Sequence, residues 1–119
     1  MFGAYINIGN IKIYLVHPDG GNSYAVSYKL QKIIEKFSSE NKPNILLSGH
    51  FHNPAIIPQY RNIYAIQLPA MQAQTPYMKR KSLSSELAVI ILEITPDKNG
   101  IARIKCEHIP FYNVVQGNY

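Results

Sequence analysis

Two short apolar runs, Ile11-Lys12-Ile13-Tyr14-Leu15-Val16 and Ile45-Leu46-Leu47-Ser48, bracket a stretch with helical periodicity. No other pattern in the 119 residues restricts the fold as much. Between the runs Val26, Leu30, Ile33, Ile34 and Phe37 recur at helical spacing, with Lys29, Lys32 and Lys36 mostly on the other side. Asp19-Gly20-Gly21-Asn22 reads as a turn, Ser23 as the helix N-cap, and Glu40-Asn41-Lys42-Pro43 as the loop that stops the helix. A right-handed strand–helix–strand crossover lays its two strands parallel, with both carboxyl ends on one edge of the sheet. Ligands of open α/β sheets bind outside those ends.

The rest of the chain reads as β structure. Tyr5 to Ile8, a Gly9-Asn10 turn and Ile11 to Val16 form a hairpin. Ala55-Ile56-Ile57 and Asn62 to Ile66 are expected as strands joined through Gln59-Tyr60-Arg61, and 68–85, with Pro69 and Pro76, as a long loop. Leu87 to Ile94 is a strongly apolar strand that Asn99-Gly100 turns back into Ile101 to Cys106. The sequence contains no internal repeat, low-complexity stretch or interdomain linker.

Three of the four histidines stand at the ends of these strands. His17 follows Val16, and the run Gly49-His50-Phe51-His52 follows Ser48. His50 and His52, one residue apart, project to the same side. The crossover brings His17 to the same edge without any appeal to a family. A lone histidine is ordinarily structural or exposed, the reading for His108. The close pair differs, because two adjacent imidazoles repel or desolvate one another unless a shared cation holds them. Gly49, lacking a β-carbon, is expected to permit a sharp turn out of the strand.

Bulk properties exclude several classes. A chain of this length supports one domain and buries about two-thirds of its unfolded surface. No apolar run approaches the roughly 20 residues of a bilayer span, and Met-Phe-Gly-Ala-Tyr at the start lacks the features of a signal peptide. A single cysteine, Cys106, excludes an intrachain disulfide and fits a reducing, cytoplasmic setting. The net charge of +5 is modest, and its one dense cluster, Lys79-Arg80-Lys81, supplies few phosphate contacts, which favours a solvated loop over a nucleic-acid patch.

Gly49-His50-Phe51-His52 resembles the last motif, Gly-His-x-His, of the calcineurin-like metallophosphoesterases. His17, after an apolar strand and before Pro18, resembles the isolated histidine that precedes it in that family. The resemblance implies an α/β fold: a partial metallophosphoesterase-type sandwich in which the crossover is followed by a β-rich C-terminal part. It implies two divalent metals (Mn, Fe, Zn or Ni) and hydrolysis of a phosphate ester. Carried over by position, His17 and His50 would ligate one metal and His52 the other. Gly20, Gly21 and Asn22 would lie where backbone N–H groups help hold a phosphate, although a plain turn is the simpler reading.

The family also uses Asp-x-His, Gly-Asp and Gly-Asn-His-Asp/Glu motifs, and none of them occurs here. The only aspartates are Asp19 and Asp97, and neither sits in such a context. Three neutral imidazoles do not offset the charge of two divalent ions, a task for carboxylates. Residues 1–119 are therefore expected to be a C-terminal portion of such a domain without its N-terminal metal-binding half, holding at most one metal weakly and inactive alone. A subunit completed by another chain, a degenerate relative used for binding or assembly, and a non-catalytic binding or regulatory subunit, such as one of a nucleic-acid-processing complex, are the alternatives. A half-domain would leave outer strands and one sheet face uncovered, so self-association is expected.

Overall fold

Ile45–Ser48 carries no charge and is apolar on both faces until its last residue, and the chain buries it at the centre of a five-stranded sheet. The computed structural model describes residues 2–18, 28–49, 54–69 and 87–111. Along the chain these form β1 (Phe2–Ile8), β2 (Ile11–His17), α1 (Tyr28–Glu35), β3 (Ile45–Ser48), β4 (Ala55–Tyr60), β5 (Ile63–Gln67), β6 (Ala88–Asp97) and β7 (Gly100–Pro110). The large sheet has the order β1-β2-β3-β5-β4, and β6 and β7 form a separate antiparallel pair. The result is the mixed, strand-rich α/β architecture that the sequence predicts.

β3 pairs in parallel with β2, Ile13 opposite Ile45 and Val16 opposite Ser48. It pairs in parallel with β5 on its other side, Ile45 opposite Tyr64 and Ser48 opposite Gln67. The outer strands are antiparallel to their neighbours, β1 to β2 and β4 to β5. Parallel pairing is thus confined to the middle of the sheet, because each edge strand belongs to a tight hairpin and can only return antiparallel.

Alternation along the strands sorts the core into two layers. Val16, Leu46, Ile63 and Ala65 face α1 and pack with its Leu30, Ile33 and Ile34. On the opposite face Ile11, Ile13 and Ile45 pack with Leu92, Ile94, Ile101 and Ile104 of the β6–β7 hairpin. The expectation of one bare face is therefore corrected over the middle of the sheet, because the C-terminal hairpin covers it. α1 keeps its charges outside: Lys32 Nζ lies 3.5 Å from Glu35 and 5.4 Å from the centre of the Tyr28 ring. No helix among the described residues is long and apolar enough to cross a membrane.

Asn44 fixes the register at the start of β3. Its side-chain Oδ1 accepts from the Lys12 amide at 2.7 Å, its own amide donates to the Lys12 carbonyl at 2.8 Å, and its carbonyl accepts from the Tyr64 amide at 3.0 Å. One residue thus joins β2, β3 and β5. Pro43 just before it is wholly buried, so the loop that stops the helix also seals the end of the core.

Several boundaries differ from the sequence reading. The β4–β5 turn is centred on Arg61-Asn62 rather than on 59–61, with φ of 52° and 61°, the left-handed pair of a type I′ turn. Gln59, φ 60°, sits at a bulge between Ile57 and Tyr60 that carries β4 past Pro58. β6 and β7 run further than their apolar cores, because Glu93, Thr95, Lys105 and Glu107 continue the alternation on the exposed side. Cys106 is half-buried and shares a hydrogen bond with Tyr64. The Ser23 cap, the 19–22 turn, most of the 68–85 loop with Lys79-Arg80-Lys81, and the tail from 112 lie outside the described residues.

Leu46→Ala should lower stability by about 2–5 kcal/mol in urea unfolding, the cost of a cavity in a wholly buried site, whereas Ile56→Ala on exposed β4 should cost under about 1 kcal/mol. The Tyr64 phenol is held above its ordinary pKa, first by burial and then by Cys106. A raised folded pKa means that its contribution is complete below about pH 10 and lost as pH rises through the folded value. The difference in Tm between the native chain and Tyr64→Phe should therefore change between pH 9 and 11 in the direction of a larger fall for the native chain.

Candidate metal centre

The parallel pairing of β2 with β3 brings the exits of the two strands side by side. Val16 lies opposite Ser48, and the Gly49 amide donates to the Val16 carbonyl at 3.0 Å. Across β3, the Leu68 amide donates to the Ser48 carbonyl at 2.8 Å. His17, Gly49 and Leu68 therefore stand in a row along the carboxyl edge, each one residue beyond a paired position. This is the edge that the crossover argument selects for a ligand.

His17 is the last residue of β2, exposed and opposite Phe2 of β1. It shares a face with Ala4, Leu15 and Leu47, and these residues with Gly3, Val16, Gly49 and Leu68 line a groove of about 360 Å³. The groove is apolar apart from the imidazole and backbone groups. His50 and His52 lie outside the described residues, as do Gly20, Gly21 and Asn22. Among the described residues no three His, Cys, Asp or Glu side chains gather into a metal site.

The turn expected after Gly49 lies outside the described residues. The φ of Gly49 is not in the left-handed region, and no described atom lies within 4 Å of where a β-carbon would be. The described backbone therefore has no steric need for glycine there. Gly3 is the opposite case: a β-carbon would collide with the Tyr14 hydroxyl, which lies across it. Tyr14 is locked in that position by Tyr5, ring centres 4.6 Å apart, and by an edge contact with Phe37 at 5.2 Å. Nothing in the spacing of Gly3 singles it out in the sequence, because its partner is a cross-strand neighbour's long side chain.

Two other cavities lie elsewhere. The larger, about 410 Å³, is lined by Asn44, Asn62, Tyr64 and Arg103 at the opposite, amino edge of β3 and β5. The smaller, about 300 Å³, lies between His108 and Ile90 on the hairpin and Pro54, Ala55 and Ile56. His108 sits inside β7, opposite Ile90 and exposed, and is not among the residues lining the His17 groove.

No family model matches the chain, and no curated protein does. Among solved structures it resembles Vps29 from Entamoeba histolytica in a complex with Zn2+, with a TM-score of 0.50 and 20% identity over 91% of this chain and 59% of that one. A double mutant of the same protein gives a TM-score of 0.52 and 19% identity, over 92% of this chain and 60% of that one. The chain thus spans about 60% of the length of the solved structures it matches. At this identity the likeness concerns the fold, which is of the metallophosphoesterase type.

Gly49→Ala should leave the fold intact and raise stability by about 0.4–1 kcal/mol in chemical denaturation, because it restricts the unfolded chain without a clash. Gly3→Ala should lower it by about 1–3 kcal/mol, because Tyr14 must leave its seat.

Proposed function

We propose that this chain supplies the imidazole side of a divalent-metal centre of the phosphoester-hydrolysing type, formed by His17, His50 and His52. The observation that carries this reading is the parallel β2–β3 register, which sets His17 beside Gly49, one peptide before His50. Imidazole nitrogens suit borderline ions such as Zn2+, and the metallophosphoesterase-type fold adds weight, since Vps29 of that fold binds Zn2+. A bound divalent ion would act as a Lewis acid toward a phosphoryl oxygen.

His17 and the two histidines of the Gly49–His52 run would hold the ion, and the apolar groove beside His17 would keep water from that flank. Among the described residues no carboxylate joins the site, and Asp19 and Glu86 lie outside them. Of the acidic residues described, Glu93, Asp97 and Glu107 lie on the hairpin and Glu35 and Glu40 at the end of the helix and in the loop after it, none of them among the residues lining the His17 groove. The chain is read as the histidine-bearing part of a larger centre, with the carboxylates contributed by the remainder of a longer protein or by a complementing chain. Alone it binds one metal and does not hydrolyse phosphate esters. That no carboxylate among the described residues lines the groove also favours a second reading, a non-catalytic binding subunit that keeps a single metal.

Titration calorimetry with Zn2+ tests the centre. Binding should weaken on His17→Ala and on His50→Ala by at least the roughly 10–100-fold that loss of an outer-shell partner costs, and should not change on His108→Ala. Zn2+ affinity indifferent to His17 and His50 would remove the site from consideration. Hydrolysis of bis(p-nitrophenyl) phosphate by the purified chain, dependent on added metal, would show that the centre is complete in itself.

A further inference from the structure

The cavity of about 410 Å³ at the amino edge of β3 and β5 is lined wholly by described residues. Its floor is apolar. Ile101 and Ile104 of β7 and the ring of Tyr64 line it from the layer that joins the hairpin to the sheet. The β4–β5 turn forms one wall with Gln59 and Asn62, and Asn44 stands at the start of β3.

The polar lining is rich in donors without acceptors. Asn44 Oδ1 is committed to the Lys12 amide, which turns Nδ2 toward β7, 3.7 Å from where a β-carbon on Gly100 would stand. Among the described residues neither that Nδ2 nor the carboxamides of Gln59 and Asn62 meet a hydrogen-bond partner. Arg103 is the one charged side chain of the lining, and no described carboxylate lines the cavity or pairs with it. Gln59 adds a separate observation. Its φ of 60° is a conformation that glycine adopts without penalty and other residues do not. Outliers of this kind cluster at ligand clamps, where the side chain is needed.

From one unpaired guanidinium, three unpaired carboxamides and an apolar floor we infer that this cavity binds a small, singly charged carboxylate with a flat apolar body. Arg103 takes the carboxylate oxygens in the forked arrangement that suits a planar anion. The Asn44, Gln59 and Asn62 amides supply further N–H donors, and the body rests on Ile101, Ile104 and Tyr64. A single guanidinium matches a single negative charge, whereas a phosphate dianion would keep one charge uncompensated. The volume falls in the ordinary range of small-molecule sites. The inference is independent of the metal centre, which stands at the other end of β3.

Titration calorimetry with benzoate as the probe, in the presence of EDTA to keep metal out, should show one saturable site with a Kd below about 1 mM. Benzamide, which lacks the charge, and phenyl phosphate, which carries too much, should each bind at least about tenfold more weakly. Arg103→Gln should weaken benzoate about tenfold or more with its circular dichroism retained. Arg61→Gln, a neighbouring cation outside the lining, should leave the affinity unchanged. Gln59→Gly should weaken binding while the urea midpoint stays level or rises, since glycine relieves the left-handed backbone. No saturable binding of benzoate up to about 10 mM overturns the inference. So does benzamide or phenyl phosphate binding as tightly as benzoate, or a benzoate affinity indifferent to Arg103.

Discussion

The parallel pairing of β3 with β2 and β5 is the constraint on which the molecule depends. It needs a strand that tolerates burial on both faces, and Ile45-Leu46-Leu47 meets that need. It also needs a crossover long enough to return the chain to the same edge, which the segment containing α1 supplies. Once the three strands are parallel their carboxyl ends coincide, and His17, Gly49 and Leu68 fall into line. The helix and the hairpin can then each cover a face. Asn44 sets the starting point of all three strands with its side chain and backbone together, so a slip of one residue would cost several hydrogen bonds at once.

The crossover, the helix face and the hairpins were legible because each rests on a periodicity, whereas the parallel pairing of β3 with β5 was not read from the sequence. Leu30, Ile33 and Ile34 are buried as their spacing requires, and Ile11 and Ile13 alternate as a strand with one face toward the hairpin. What stayed hidden depends on partners distant in sequence. Asn44 looks like one more polar residue after a proline until Lys12 is beside it. Gly3 matters only because Tyr14 crosses it. The bulge at Gln59 and the left-handed Arg61 reflect how a hairpin accommodates Pro58, and side-chain type alone suggests neither.

The site was legible in part, for a topological reason. Strand ends can be located from apolar runs, so the common edge of His17 and the Gly49–His52 run follows from the sequence. The apolar groove beside His17 does not, because Ala4, Leu47 and Leu68 reach it from three different strands or their exits. The role expected of Gly49 falls on a turn outside the described residues, and the described backbone there has an ordinary φ and room for a β-carbon.

The Asn10 side-chain amide donates to the carbonyls of Asp97 and Lys98 at 3.0 and 3.1 Å, fastening the first turn of the chain to the tip of the last hairpin. Those residues are 87 and 88 positions apart, so the contact closes a loop over most of the described chain. Loop closure of that kind comes late in folding, after short-range elements have formed. The hairpin layer therefore covers a sheet whose own pairings all span shorter stretches of chain. Without it Ile11, Ile13 and Ile45 would lie open to solvent, so residues near the far end of the described chain shield the apolar stripe laid down near its start.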